Sequence, residues 1–229
     1  MYILAPSIYA ADAMGLEREL RLMEKAGIRR LHVDIMDGRF VPGFSFGADF
    51  VEALRKKTDM ELDVHLMAER PGDYVDAFLS AGADVLTIHW EIKDSPEEVL
   101  ERIRRRGKKP GIALKPESDP GKLTAKVWEA ADVIQLMTVA PGLKGQHFLA
   151  GMVPKIAWVK RRIEESGRKI QLEIDGDVNE TNLERVLEAG ADVIVVGKAL
   201  FTGNLERNLF WYQRAAEKEG SLYQKEALA

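Results

Sequence analysis

Eight short apolar runs recur along the chain, at residues 2–8, 30–34, 61–66, 84–89, 109–114, 132–137, 170–174 and 192–196. Most are nearly continuous rather than alternating, as strands buried on both faces read. Between them, apolar positions follow helical spacing. Leu16, Leu20, Leu22, Met23 and Ala26 form one stripe, Val99, Ile103 and the stem of Arg106 a second, and Leu183, Val186, Leu187 and Ala189 a third. Pro71, Pro96 and Pro120 stand where first helical turns are expected, and Gly27, Gly82, Gly107, Gly167 and Gly190 where helices should stop. Parallel strands need crossovers, and eight strand–helix alternations fill a closed barrel. The pattern therefore predicts an α/β fold, a single (β/α)8 TIM barrel over residues 1–229, with a polar tail from about residue 217.

One segment echoes itself. Ala81-Gly82-Ala83-Asp84-Val85 returns as Ala189-Gly190-Ala191-Asp192-Val193, ahead of the fourth and the eighth expected strands. Either one helix-to-strand solution was used twice or the echo is a trace of duplication.

Composition narrows the function. With 46% hydrophobic and 31% charged residues, the 229-residue chain is too apolar for disorder. Its 33 Lys+Arg against 37 Asp+Glu leave a net charge of −4, without the basic patch that nucleic acid or an anionic membrane would need. Cysteine is absent, which excludes disulfides, thiolate zinc sites and Cys nucleophiles. No run reaches the ~20 apolar residues of a spanning helix. The first sixteen residues lack a basic leader region and read as a strand and loop, so a cytoplasmic protein is expected.

In a parallel barrel, reactive groups sit at the C-terminal ends of strands. His32 and Asp34 lie two apart on one strand and share a face. His65 ends the adjoining strand, and Asp175 ends the seventh, across the barrel. Two imidazoles and two carboxylates at one mouth suit one divalent ion such as Zn, Fe, Mn or Co. His89 and Glu91 would extend this set, or His89 would support it from behind, and His147 reads as a surface or loop residue. Gly142 and Gly145 bracket a loop holding Leu143 and Lys144, while Gly176 and Gly197 follow the seventh and eighth strands. Backbone N–H groups there would suit a phosphate, although tight turns need glycine in any case. Phe210, Trp211 and Tyr212 either pack the last helix on the barrel or form part of a homo-oligomer interface.

The motifs resemble the ribulose-phosphate 3-epimerase family. They are Ala5-Pro6-Ser7-Ile8, the run HVDIMDGRFVP from His32 to Pro42, Asp63-Val64-His65-Leu66-Met67, Met137-Thr138-Val139-Ala140-Pro141-Gly142 with Gly145-Gln146, Asp175-Gly176, and Gly197 before Ala199-Leu200-Phe201. They keep family order over nearly the whole chain. The resemblance implies a barrel of the ribulose-phosphate binding type that epimerises carbon 3 of a ketose phosphate. It implies His32, Asp34, His65 and Asp175 as metal ligands, with Asp34 and Asp175 as the acid/base pair. Ser7 and His65 would touch substrate, and Met36, Met67 and Met137 would pack near the reacting carbon or simply fill the core.

Four positions depart from the family pattern. Asp177 replaces a second glycine, Lys198 a serine, Ala140 an asparagine or aspartate, and Lys144 a glycine of the flap. Asp177 and Lys198 fall where the family grips phosphate. In one reading Lys144 and Lys198 hold the phosphate, and Asp177 turns toward the following helix. In another, Asp177 and Lys198 form a neutral pair that reads the end of an unphosphorylated ketose. A hexulose 6-phosphate is a third option, since Ala140 frees space. A sugar-binding barrel without turnover and a metal-dependent hydrolase are the alternatives from other classes.

Overall fold

The computed structural model describes residues 2–226, with side chains through Ala215. The strands are β1 Ile3–Pro6, β2 Arg30–Met36, β3 Glu61–Met67, β4 Val85–His89, β5 Lys109–Leu114, β6 Val133–Met137, β7 Gln171–Asp175 and β8 Val193–Val196. The helices are α1 Leu16–Lys25, α2 Ala48–Arg55, α3 Val75–Ser80, α4 Pro96–Arg105, α5 Ala125–Ala130, α6 Met152–Ser166, α7 Leu183–Glu188, α8 Lys198–Phe201 and α9 Leu205–Glu226. Every strand pairing is parallel, in the order β1-β8-β7-β6-β5-β4-β3-β2. The edge strands β1 and β2 meet through the parallel bridge Ser7–His32, which leaves a nearly closed eight-stranded barrel.

The alternation of side chains explains why the strands read as apolar runs. Outward residues such as Leu31, Val33, Leu62, Val64, Ile134 and Ile174 join one core with the inner faces of the helices. Inward residues divide by strand. Ala5, Val193 and Val195 pack with Ile3 as a separate aliphatic cluster beside β1 and β8. Strands β2, β3, β4, β6 and β7 carry the buried polar residues Arg30, His32, Asp63, His65, Thr87, Gln135 and Glu173.

The sequence echo is one structural solution used twice. Asp84 Oδ2 accepts from Leu62 N at 3.1 Å, and Asp192 Oδ2 accepts from Leu172 N at 2.9 Å. Each carboxylate thus caps the start of the preceding strand. A cation from the preceding helix pairs with each, Arg55 with Asp84 at 3.0 Å and Lys160 with Asp192 at 2.6 Å. Gly82 (φ 108°) and Gly190 (φ 99°) lie under those same two side chains, where a Cβ would meet Arg55 or Lys160 carbons at 2.6 and 2.4 Å.

Three local expectations differ. The first strand is shorter than the apolar run, because a 3-10 turn at Ile8–Ala10 follows it. Pro96 does open α4 behind the Ser95 cap, but Pro71 and Pro120 open only single 3-10 turns. Of the late aromatic residues, Tyr212 is buried and Trp211 packs edge-on to it, while Phe210 stays exposed. The helical backbone of α9 continues to Glu226 through the segment expected as a tail. Side chains from 216 onward and residues 227–229 lie outside the described part.

Candidate active site

β2, β3 and β7 end at the same mouth and bring His32, Asp34, His65 and Asp175 together. One ligand atom from each lies within 4.8 Å of all the others. His65 Nδ1 is 3.2 Å from Asp34 Oδ1 and 3.6 Å from Asp175 Oδ2. His32 Nε2 is 3.4 Å from Asp34 Oδ1 and 3.8 Å from Asp175 Oδ2, and it is a buried atom with no hydrogen-bond partner. An orphaned imidazole nitrogen facing two carboxylate oxygens fits a cation of the N/O-seeking type, so the donor set suits a divalent metal.

The surroundings hold these groups in place. Ser7 Oγ donates to Asp34 Oδ2 at 2.6 Å. Ser45 Oγ donates to the Asp34 carbonyl at 2.6 Å and accepts from Met36 N at 2.9 Å, which fixes the end of β2. Gln135 Nε2 lies 3.1 Å from His65 Nδ1, 3.2 Å from Asp175 Oδ2 and 3.3 Å from Met137 Sδ. Below, His32 Nδ1 faces Asp63 Oδ2 at 3.3 Å and Glu173 Oε1 at 3.5 Å. Arg30 closes this floor, donating to Glu61 at 2.7 Å and Gln171 at 2.8 Å, with Glu173 at 3.6 Å. Behind His65, a second path runs outward. His65 Nε2 meets His89 Nε2 at 2.9 Å, and His89 Nδ1 meets Glu91 Oε2 at 3.1 Å.

The sequence reading overlooked Asp63, Glu173, Arg30 and Gln135. A signal was present for three of them. Arg30, Asp63 and Glu173 each stand two residues before a mouth residue (His32, His65 and Asp175), hence on the same inward face one layer deeper.

Electrostatics split the two mouth carboxylates. Burial pushes Asp34 up, but His32 and His65 beside it outweigh this and hold it well below the usual carboxylate range. Burial, then the charge of Asp34, pushes Asp175 up to about 6. His32 is buried, yet Asp34 and Asp63 raise it well above the usual imidazole value. Burial outweighs the Glu91 hydrogen bond and holds His89 down at about 4, so its ring is neutral at pH 7. Burial raises Glu91, but hydrogen bonds from His89 and Ser118 overcome it and keep the carboxylate ionised.

Above the four groups opens a cavity of about 410 Å³. Ser7, Asp34, Met36, Met67, Met137, Ala140, Gly142, Leu143, Lys144, Gly145, Asp175, Asp177, Gly197 and Lys198 line it, with Tyr9, Phe201 and Thr202, which sequence reasoning did not single out. His32 and His65 are fully buried and do not line it, so His65, expected to touch substrate, lies behind the cavity wall. Gly176 does not line it. It is buried beside Thr138, whose hydroxyl donates to its carbonyl.

Residues 139–146 form a flap over one side. Gln146 clips it, accepting from Ala140 N at 3.2 Å and donating to Leu143 O at 3.1 Å. Lys144 Nζ lies 4.7 Å from the centre of the Tyr9 ring. Asp177 takes φ 51°, a left-handed conformation that Asp tolerates better than most residues. Its carboxylate accepts from Phe148 N at 3.3 Å and lies 3.7 Å from His147 Nδ1. This changes the partner expected of Asp177 in both readings. Its carboxylate reaches back to the segment just after the flap rather than to the following helix, and among the described residues no ion pair joins it to Lys198. His147 is an exposed loop residue, as expected.

The model of the ribulose-phosphate 3-epimerase family matches residues 3–201. The ribulose-phosphate 3-epimerase of Bacillus subtilis (strain 168) is 42% identical over 202 residues, covering 88% of this chain and 93% of that protein. That of Treponema pallidum (strain Nichols) is 41% identical over 204 residues, covering 89% and 93%. This chain belongs to the ribulose-phosphate 3-epimerase family. As a member it is an isomerase of the epimerase class. Solved barrels share the fold more distantly. A 3-hexulose-6-phosphate synthase superimposes with a TM-score of 0.60 at 17% identity, covering 91% of this chain and 95% of that one. A mutant tryptophan synthase α-subunit from Pyrococcus furiosus gives 0.64 at 15%, covering 91% and 95%. At such identity these likenesses bear on the fold alone.

Proposed function

We propose that this chain is a metal-dependent 3-epimerase of a ketose phosphate, interconverting ribulose 5-phosphate and xylulose 5-phosphate. The observation that carries the reading is the convergence of Asp34 and Asp175 with two imidazoles at the mouth, in a member of this family. His32, Asp34, His65 and Asp175 would hold a divalent ion, which supplies Lewis acidity where negative charge develops on the substrate.

The chain's own residues move the proton. One carboxylate takes the proton from C3; the C–H electron pair becomes the C2–C3 double bond as the C2 carbonyl π pair moves onto the C2 oxygen. The other carboxylate, protonated, returns a proton to the opposite face of the planar enediolate. Asp34 and Asp175 come from strands two and seven and can flank the substrate. Asp34 is held ionised and Asp175 takes a proton more readily, which supports the division of labour; the roles exchange in the reverse direction. Ser7 orients Asp34 through its 2.6 Å hydrogen bond. Met36, Met67 and Met137 give the site an apolar wall, and the flap keeps water from the enediolate. At the far end Lys144, Lys198 and the backbone at Gly142, Gly145 and Gly197 receive the phosphate. Asp177 is engaged by Phe148 N and His147, which turns its charge toward the segment just after the flap.

A second reading rests on Asp177 itself, since this acidic residue lines the cavity. An unphosphorylated ketose or a hexulose 6-phosphate would then be the substrate. Proton NMR of the full chain with Co²⁺ decides between them. Conversion of ribulose 5-phosphate to xylulose 5-phosphate, with free ribulose left nearly untouched, is expected. Turnover of free ketose or hexulose 6-phosphate alone favours the second reading, and no epimerisation of any of the three overturns both.

A further inference from the structure

Glu91 stands outside the cavity lining, at the far end of the path from His65 through His89. Its two oxygens have different partners. Oε1 accepts from Lys115 N at 2.9 Å and from the Ser118 hydroxyl, and Oε2 faces His89 Nδ1. A carboxylate only accepts, so the Glu91–His89 hydrogen bond requires the proton on His89 Nδ1. The neutral His89 ring then carries its lone pair on Nε2. Two Nε2 atoms at 2.9 Å need one donor between them, and that donor is His65 Nε2–H. That leaves the lone pair of His65 on Nδ1, which lies 3.2 Å from Asp34 Oδ1 and faces Asp175 and the amide of Gln135; the Asp34 contact pulls the proton the other way, so the relay from Glu91 has to outweigh it.

We propose that Glu91 and His89 are positioning residues that set the tautomer of His65, presenting its Nδ1 lone pair to the divalent ion from behind the site. This deepens the metal reading above and rests on it. Partners behind a ligating imidazole commonly fix which nitrogen binds and are worth 10–100-fold in metal affinity. Here the control lies two side chains away, at a carboxylate that touches neither metal ligand nor cavity.

Glu91→Gln is the decisive variant because it is isosteric. Lys115 N is an obligate donor, so it keeps the carbonyl of the new amide at the Oε1 position. The NH₂ must then face His89 Nδ1 and donate to it. That drives the His89 proton to Nε2 and the His65 proton to Nδ1, into the place of the metal.

The test uses the full chain labelled with ¹⁵N-histidine, read by long-range ¹H–¹⁵N correlation before metal is added. Co²⁺ is then titrated and followed by its visible absorption. We expect His65 protonated on Nε2 and His89 on Nδ1 in the parent chain, both reversed in Glu91→Gln, and a 10–100-fold loss of Co²⁺ affinity. Ser118→Ala, which keeps the Lys115 donor, should leave tautomers and affinity unchanged. His65 protonated on Nδ1 in the parent chain overturns the proposal, even if the variant fails to fold. Retained tautomers in a folded Glu91→Gln, or reversed tautomers with unchanged affinity, overturn it as well. Absence of Co²⁺ binding to the parent chain would instead count against the metal reading, while the parent's tautomers still decide the relay.

Discussion

His32 on β2 and Asp175 on β7 face each other across the barrel mouth, with 3.8 Å between Nε2 and Oδ2. The nitrogen has no hydrogen-bond partner, and the carboxyl is pushed up to about 6 by burial and by Asp34. This pairing ties metal loading to protons. Burial disfavours a charged His32 ring, but Asp34 and Asp63 outweigh it and favour a proton on the metal-free ring. Binding needs the Nε2 lone pair and must expel that proton, so affinity rises with pH. Below about pH 6 Asp175 also takes a proton, and the dependence steepens. Calorimetric Co²⁺ titrations in buffers of differing ionisation enthalpy should show protons released on binding, with more released below pH 6 than at pH 7.5. No release at either pH would contradict the ligand assignment.

The phosphate end offers a separate test. Lys198 is exposed at the start of α8 and lines the cavity, and no acidic partner neutralises it among the described residues. Lys198→Ala should raise KM for ribulose 5-phosphate about tenfold, the scale of a charge-assisted contact, and leave kcat nearly unchanged. An unchanged KM for the phosphorylated sugar would remove Lys198 from the binding site.

Asp84 and Asp192 provide a prediction about stability. Each caps a strand start and holds a cation from the helix before it. Replacing either with Ala leaves a backbone N–H without its acceptor, at about 1–3 kcal/mol. The two changes sit on opposite halves of the barrel and should add. Thermal melts should fall by about 2–4 °C per kcal/mol for a domain of this size. A double variant melting like the parent chain would show that the repeated motif has no stabilising role.

Much of the fold could be read from the sequence because its physics is local. The outward face of each strand is aliphatic, and β1 and β8 are aliphatic inward as well, so the runs stand out. The mouth tetrad was readable because His32 and Asp34 are two apart and the others end neighbouring or facing strands. The floor was harder. Arg30, Asp63 and Glu173 are inward polar residues on strands, and a polar residue within a strand reads the same whether it faces solvent or a buried partner. Their partners are remote in sequence, as with Arg30 and Gln171, 141 residues apart. Asp177 hid its partner for a related reason. Its acceptor role is met by a backbone N–H, at Phe148, which no side-chain pattern announces. Pro71 and Pro120 do open helical first turns, but proline fixes φ without fixing how many turns follow, and each opens a single 3-10 turn.

Under the proposed function one of Asp34 and Asp175 takes the C3 proton from one face of the substrate and the other returns a proton to the opposite face. Epimerisation in D₂O tests this most directly. The parent chain with Co²⁺ should yield xylulose 5-phosphate carrying deuterium at C3. Asp34→Asn and Asp175→Asn should each lose about 10²–10⁴-fold in epimerisation, the scale of a general acid/base group, while the carboxylate that remains still exchanges the C3 hydrogen of one epimer. Near-normal epimerisation by either Asn variant that still binds Co²⁺ would contradict the two-carboxylate account.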